Sequence, residues 1–165
     1  MKFSLAAIAG LLSAVSAASL PATFTLVAEG GFNVVTDGKN LYFGVTKIDA
    51  THKIANFHTV PETGALKVVT YTAGETGTIT TTQDLYILEN ENGPVTLAPP
   101  SGSIPAGASA THFGVTDDGF LDHDGKAYFA IEGYGENPVK TIFWSGGHSS
   151  TQRTTNLEVK KCQGC

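Results

Sequence analysis

"DDGFLDHDGKAYFAIEG", residues Asp117–Gly133, decides how the whole chain folds. Its acids either hold a calcium ion or bend one strand into the next. A helix–loop–helix calcium loop follows D-x-[DN]-x-[DN]-G-x5-E. With Gly125 as the loop glycine, Asp124 and Asp122 take the fifth and third positions, but Phe120 falls at the first and Ile131 at the twelfth. Neither supplies a carboxylate. Turns account for more of the stretch: Asp118-Gly119 and Asp124-Gly125 bracket "FLDH", and Asp-Gly accommodates positive φ. "KAYFAI" then runs as a half-buried strand, with Tyr128 and Ala130 on one face and Phe129 and Ile131 on the other. Asp117, Asp118 and Asp122 stay open as adventitious calcium ligands, because loop oxygens are sufficient for that ion.

The same design recurs along the chain. Short β-branched and aromatic runs predict strands at 23–28, 32–36, 40–46, 66–72, 78–82, 84–89, 126–132, 140–144 and 156–160. Gly30-Gly31, Asp37-Gly38, Asn92-Gly93-Pro94 and Gly146-Gly147 separate them as turns. After residue 22 no stretch has helical spacing. The fold class is therefore all-β, a single antiparallel domain. "FNVVTDGKNLYF" (32–43), "LYILENENGPVTL" (85–97) and "FLDHDGKAYFAI" (120–131) look like three hairpins of one design, and three such units favour a β-trefoil-like barrel over a β-sandwich. The Pro/Gly/Ser-rich segment 96–112 reads as a surface loop. Threonine alternation in "TITTT" reads as a solvated face that could carry O-linked sugar, and no N-x-S/T triplet occurs.

The first residues, "MKFSLAAIAGLLSAVSA", have a basic start, an apolar stretch and a small-residue cleavage pattern, so residues 1–17 are expected to be a secretory signal peptide and 18–165 the exported domain. A domain of that size buries a core without staples. The formal net charge of −5, with no Lys/Arg cluster, argues against nucleic acid and anionic membranes as partners. No later run is long enough to span a bilayer, and the polar end "NLEVKKCQGC" directs no lipid anchor. The only cysteines, Cys162 and Cys165, lack the strand–helix setting of a redox motif and the second pair of a zinc ribbon. In an oxidising compartment they form disulfides, either as a local clip with each other or as a link to another molecule.

No catalytic, metal or cofactor motif emerges. His52, His58, His112, His123 and His148 lack metal-ligand spacing. Ser145, Ser149 and Ser150 flank His148 without a nucleophile elbow. Glu29 with Asp37 is an imaginable glycosidase dyad whose separation the sequence leaves open. Trp144 and Tyr134 are candidate glycan contacts, with core or edge packing the plainer role for such rings.

The segment "HFGVTDDGFLDHDGKAYFAI" (112–131) resembles the C-terminal segment of fungal secreted cell-wall proteins of the PIR and PhiA-like groups. Gly114, Asp118-Gly119, Leu121, Gly125, Tyr128 and Phe129 follow that family's rhythm, and "NLYFG" (40–44) and "DLYILENENGPVTL" (84–97) are similar to its earlier blocks. The resemblance implies a compact β-domain at the cell surface with a structural role in the wall, no catalysis and no cofactor. Ala130 and Ile131 stand where the family places a cysteine, and the Gln-containing repeats that attach to glucan are missing. The expectation is a secreted, extracellular, non-enzymatic wall protein whose partners are wall polysaccharide or other wall proteins. Its rivals are a lectin-like glycan-binding or effector module and a small secreted hydrolase.

Overall fold

The computed structural model describes residues 19–71 and 79–162. The expected signal segment and Cys165 lie outside that range. The first half supplies β1 (Thr23–Val27), β2 (Val35–Thr36), β3 (Leu41–Phe43), β4 (Lys53–Ile54), β5 (Asn56–Val60), β6 (Ala65–Tyr71) and β7 (Ile79–Leu88). The second half supplies β8 (Asn92–Pro94), β9 (Thr96–Leu97), β10 (Ala108–Ser109), β11 (Phe113–Val115), β12 (Leu121–His123), β13 (Phe129–Glu132), β14 (Lys140–Thr141), β15 (Phe143–Ser145), β16 (Gln152–Thr154) and β17 (Glu158–Lys161). A single 3-10 turn, Glu29–Gly31, is the only helical element among the described residues.

Among the described residues every strand pairing is antiparallel. The largest sheet runs β10-β7-β6-β5-β1-β17, with β9 also on β7. The others are β16-β13-β15-β8, β14-β3-β2-β4 and the hairpin β11-β12. None closes into a barrel, and a β-sandwich-like arrangement fits them. All four sheets feed one core, which includes Phe24, Phe57, Leu85, Phe129, Ile142 and Trp144. In β1 the alternation is strict: Phe24 and Leu26 point inward. Phe24 sits opposite Phe57 in the register, and the two rings stack with centroids 5.3 Å apart.

The trefoil-like barrel expected from the three hairpins is not confirmed, and the pairing explains why. The first unit is a hairpin, β2 on β3. In the second, β7 does meet β9, but β8 between them leaves to pair with β15. The third is no hairpin at all. β12 pairs back onto β11, β13 joins β15 and β16, and a single bridge, His123 to Lys126, closes the bend after β12 without reaching β13. Similar turn chemistry therefore closes dissimilar connections.

Individual strands also differ from expectation for local reasons. The runs 78–82 and 84–89 are one strand, because the Gln83 that separates them is buried in mid-strand. Its amide donates to the carbonyls of Gly38 at 2.9 Å and Ala98 at 2.8 Å, which satisfies it. The strand expected at 126–132 begins only at Phe129. Phe129, Ala130 and Ile131 are all buried, so both faces are covered where one was expected to be wet, while Tyr128 lies outside, 51% exposed.

Candidate functional site

The stretch Asp117–Gly133 contains two turns. Thr116 and Gly119 close the β11–β12 hairpin, with the Gly119 N–H on the Thr116 carbonyl at 2.9 Å and φ of 86° at Gly119. The carboxylate of Asp122 accepts the Gly125 N–H at 3.0 Å, which shapes the second bend. These turns deliver His123 into the interior.

His123 is 2% exposed. Its Nε2 lies 2.9 Å from Ser109 Oγ on β10 and 3.6 Å from Glu89 Oε1, just beyond β7. Its Nδ1 lies 3.8 Å from Asp124 Oδ2. Phe113 and Trp144 approach the ring at 5.2 and 5.5 Å, both edge-on. Asp124 also reaches His112 Nδ1 at 3.9 Å. Asp124 and His112 are the only non-glycine residues with positive φ among those described, at 50° and 62°. Glu89, His123 and Asp124 place ligand atoms within 4.8 Å of one another. The two carboxylates nevertheless face different ring nitrogens, whose lone pairs diverge, so one ion engages only one of those nitrogens. Ser109 already occupies the Nε2 side. The cluster is best described as a satisfied buried histidine that fastens β12 to β10 and to the end of β7.

Two clefts lie elsewhere. One, of about 380 Å³, opens where the end of β1 meets the segment between β16 and β17; Glu29, Phe120, Thr155, Asn156 and Glu158 line it. Arg153 grips Glu29 with two hydrogen bonds of 2.7 and 2.9 Å, and this pairing raises the guanidinium pKa further. The other cleft, of about 280 Å³, is lined by Thr36, Asp37, Lys53, Thr70, Thr81 and Gln83 among others. In its lining the hydroxyls of Thr70 and Thr81, register partners on β6 and β7, form a hydrogen bond of 2.8 Å. Partial burial would push the Asp37 pKa up. The N–H groups of Asn40 and Lys39, both at 2.8 Å, and the Tyr42 hydroxyl at 2.9 Å outweigh it and hold that pKa below the ordinary value. Tyr42 is shifted up, chiefly by desolvation and further by Asp37.

The residues singled out from sequence are dispersed. Glu29 and Asp37, the imagined dyad, line different clefts. Trp144 is 3% exposed and its Nε1 donates to the Glu89 carbonyl at 3.1 Å, so the expectation of a glycan contact there is corrected: the ring packs in the core. Tyr134 is 77% exposed. Ser145 bonds the Gly147 carbonyl, and Ser149 bonds Thr151. The serine that meets a histidine is instead Ser109. Cys162 is not a free thiol, and its expected partner Cys165 is outside the described residues. The acid-flanked run Asp122-His123-Asp124 was the available signal for the buried cluster. No family model, no curated protein and no solved structure matches this chain.

Proposed function

We propose that this is an exported, non-enzymatic protein of the fungal cell wall or cell surface that associates with wall polysaccharide. Residues 1–17 would direct export, and 18–165 would form the working domain. The observation that carries this reading is the chemistry of the two clefts: hydroxyls, amides and carboxylates held by ion pairs or hydrogen bonds line them, a set that suits a neutral polyhydroxylated chain. The resemblance of 112–131 to secreted wall proteins supports the same role. Open antiparallel sheets in a sandwich-like arrangement carry such loops, and Tyr134 offers an exposed ring elsewhere on the surface. Cys162 and Cys165 close a local clip in the tail.

Co-sedimentation of the purified domain with insoluble glucan, chitin and mannan tests the association. Retention on at least one polymer, saturable and without release of soluble sugar, is the expected result. Failure on all three, or turnover of any of them, overturns the reading. Extracting walls with and without reductant tests the tail. Equal release in both is expected for a local clip, and reductant-dependent release would show a covalent link to another wall component.

A further inference from the structure

The cleft at the end of β1 holds a feature that its folding role does not explain. Thr155 is 5% exposed, and its Oγ1 is buried without a hydrogen-bond partner. A hydroxyl left in that state is destabilising, so such groups in folded proteins call for a reason. Thr155 lines the cleft together with Glu29, Phe120, Thr154, Asn156 and Glu158. Backbone bonds fix the surroundings. The Thr155 N–H donates to the Phe129 carbonyl at 2.9 Å, Leu121 N–H to Leu157 at 2.8 Å and Val159 N–H to Gly119 at 2.9 Å. Phe120 itself bridges to Glu158. The lining is therefore built on paired backbone rather than on a free loop.

The two carboxylates are each compensated: Arg153 holds Glu29, and Lys160 holds Glu158. Their remaining lone pairs accept hydrogen bonds without calling for a cation. Asn156 both donates and accepts, and Thr154 adds a hydroxyl. Phe120 is half-buried at the wall, and the negative face of such a ring meets the C–H face of a pyranose. A volume of about 380 Å³ stands at the low end of ligand cavities, about 300–1,000 Å³, with room for about one or two sugar rings.

We propose that this cleft is a binding subsite for a neutral sugar unit, with Phe120 stacking on the ring, Asn156 and the two glutamates bonding its hydroxyls, and Thr155 turning its now-buried hydroxyl toward the bound ligand. The proposal rests on the wall-polysaccharide reading and gives it a location. The test titrates the intact exported domain with neutral oligosaccharides of glucose, N-acetylglucosamine and mannose, following backbone amide shifts by NMR, and runs polymer co-sedimentation in parallel.

Shifts centred on residues 27–29, 120 and 154–158 are expected with at least one sugar series. Thr155→Val keeps the side-chain shape and removes the unsatisfied hydroxyl. It should leave thermal stability unchanged or raised while weakening affinity at least about fivefold, and Phe120→Ala should weaken it at least about tenfold. Ile48→Ala, exposed and outside the cleft lining, should change affinity less than twofold, about the precision of the titration. Shifts in the cleft without polymer retention would keep the subsite and overturn the wall reading. Polymer retention without shifts there, or with Thr155→Val and Phe120→Ala both silent, would overturn the subsite and keep the wall reading. If Phe120→Ala fails to fold, Thr155→Val and Asn156→Ala decide the matter. No shift and no retention with any sugar would overturn both.

Discussion

The long sheet and the short-strand region around Trp144 are held together by different means. In the long sheet, β5, β6 and β7 run 5, 7 and 10 residues, and the ladder between β6 and β7 alone registers Lys67 through Tyr71. Its inner face is repetitive apolar burial: Phe24, Leu26, Phe57, Leu66, Val68 and Leu85. Around Trp144 the strands run 2 to 4 residues. Position there is set by single contacts: the Trp144 indole on the Glu89 carbonyl, the Gly147 N–H on Asn92 Oδ1 at 2.9 Å, and His123 between Ser109 and the acids. One region spreads its stability over many similar side chains. The other concentrates it in a few groups that have no substitute.

That contrast predicts different responses to mutation. The largest effect is expected in the long sheet. Phe57→Ala removes a fully buried ring and its stacking partner on Phe24, and a loss of about 3–5 kcal/mol in chemical denaturation follows. In the short-strand region one methyl group should come close to that. A Cβ on Gly146 would sit 2.0 Å from the Glu89 carbonyl oxygen and 2.8 Å from the Glu91 nitrogen, so backbone must move. Gly146→Ala should destabilise by about 3 kcal/mol, the upper end of the usual overpacking effect. The contrast breaks if Gly146→Ala is neutral while Phe57→Ala is severe.

The same division governs what could be read from sequence. Long strands with alternating burial announce themselves, so β1, β6 and β7 were foreseeable, apart from the Gln83 that split β7 in two. β5 was missed because Asn56 and His58 interrupt its apolar run, although Asn56 is buried in the strand. The strands β8 to β12 and β16 are too short for periodicity to register, and their partners lie far along the chain: β8 on β15, β10 on β7. A two- or three-residue strand is specified by what it touches. The sites follow the same rule. Turn chemistry at Asp118-Gly119 and Asp124-Gly125 was legible because Asp-Gly is a local signal. The meeting of Ser109, Glu89 and His123 was not, since three separate elements bring it about. Trp144 read equally well as ligand platform or core, and only its burial separates the two.

A third effect, smaller than the first two, tests whether the histidine is a fastening. His123→Ala removes a buried ring lying between Phe113 and Trp144 and leaves Ser109 without its partner. About 2 kcal/mol is expected, from the cavity and the lost hydrogen bond together. Hydrogen exchange should show the opening confined to β10, β11 and β12 rather than spread over β5 and β6. Uniform loss of protection would mean that the two regions unfold as one unit and that the contrast between them is only local geometry.

The smallest effect lies at the first hairpin, where Asp37 caps the turn between β2 and β3. Its folded pKa is below the ordinary carboxylate value, so the folded state binds the proton less readily than the unfolded chain. The stabilisation is therefore full above the unfolded value of about 3.9 and is lost as pH falls through the folded one. Asp37→Asn keeps an oxygen for the Lys39 and Asn40 N–H groups but cannot titrate. The variant should be slightly less stable than the wild type near neutral pH, and the two should converge as pH falls below about 4, because only the wild type loses stability there. The exposed position of the carboxylate keeps the difference small, and added salt leaves most of it in place because the contacts are short hydrogen bonds rather than distant charges. Parallel acid profiles for the two proteins would show that the turn is set by Gly38 and the strand ladder alone, with the carboxylate a bystander.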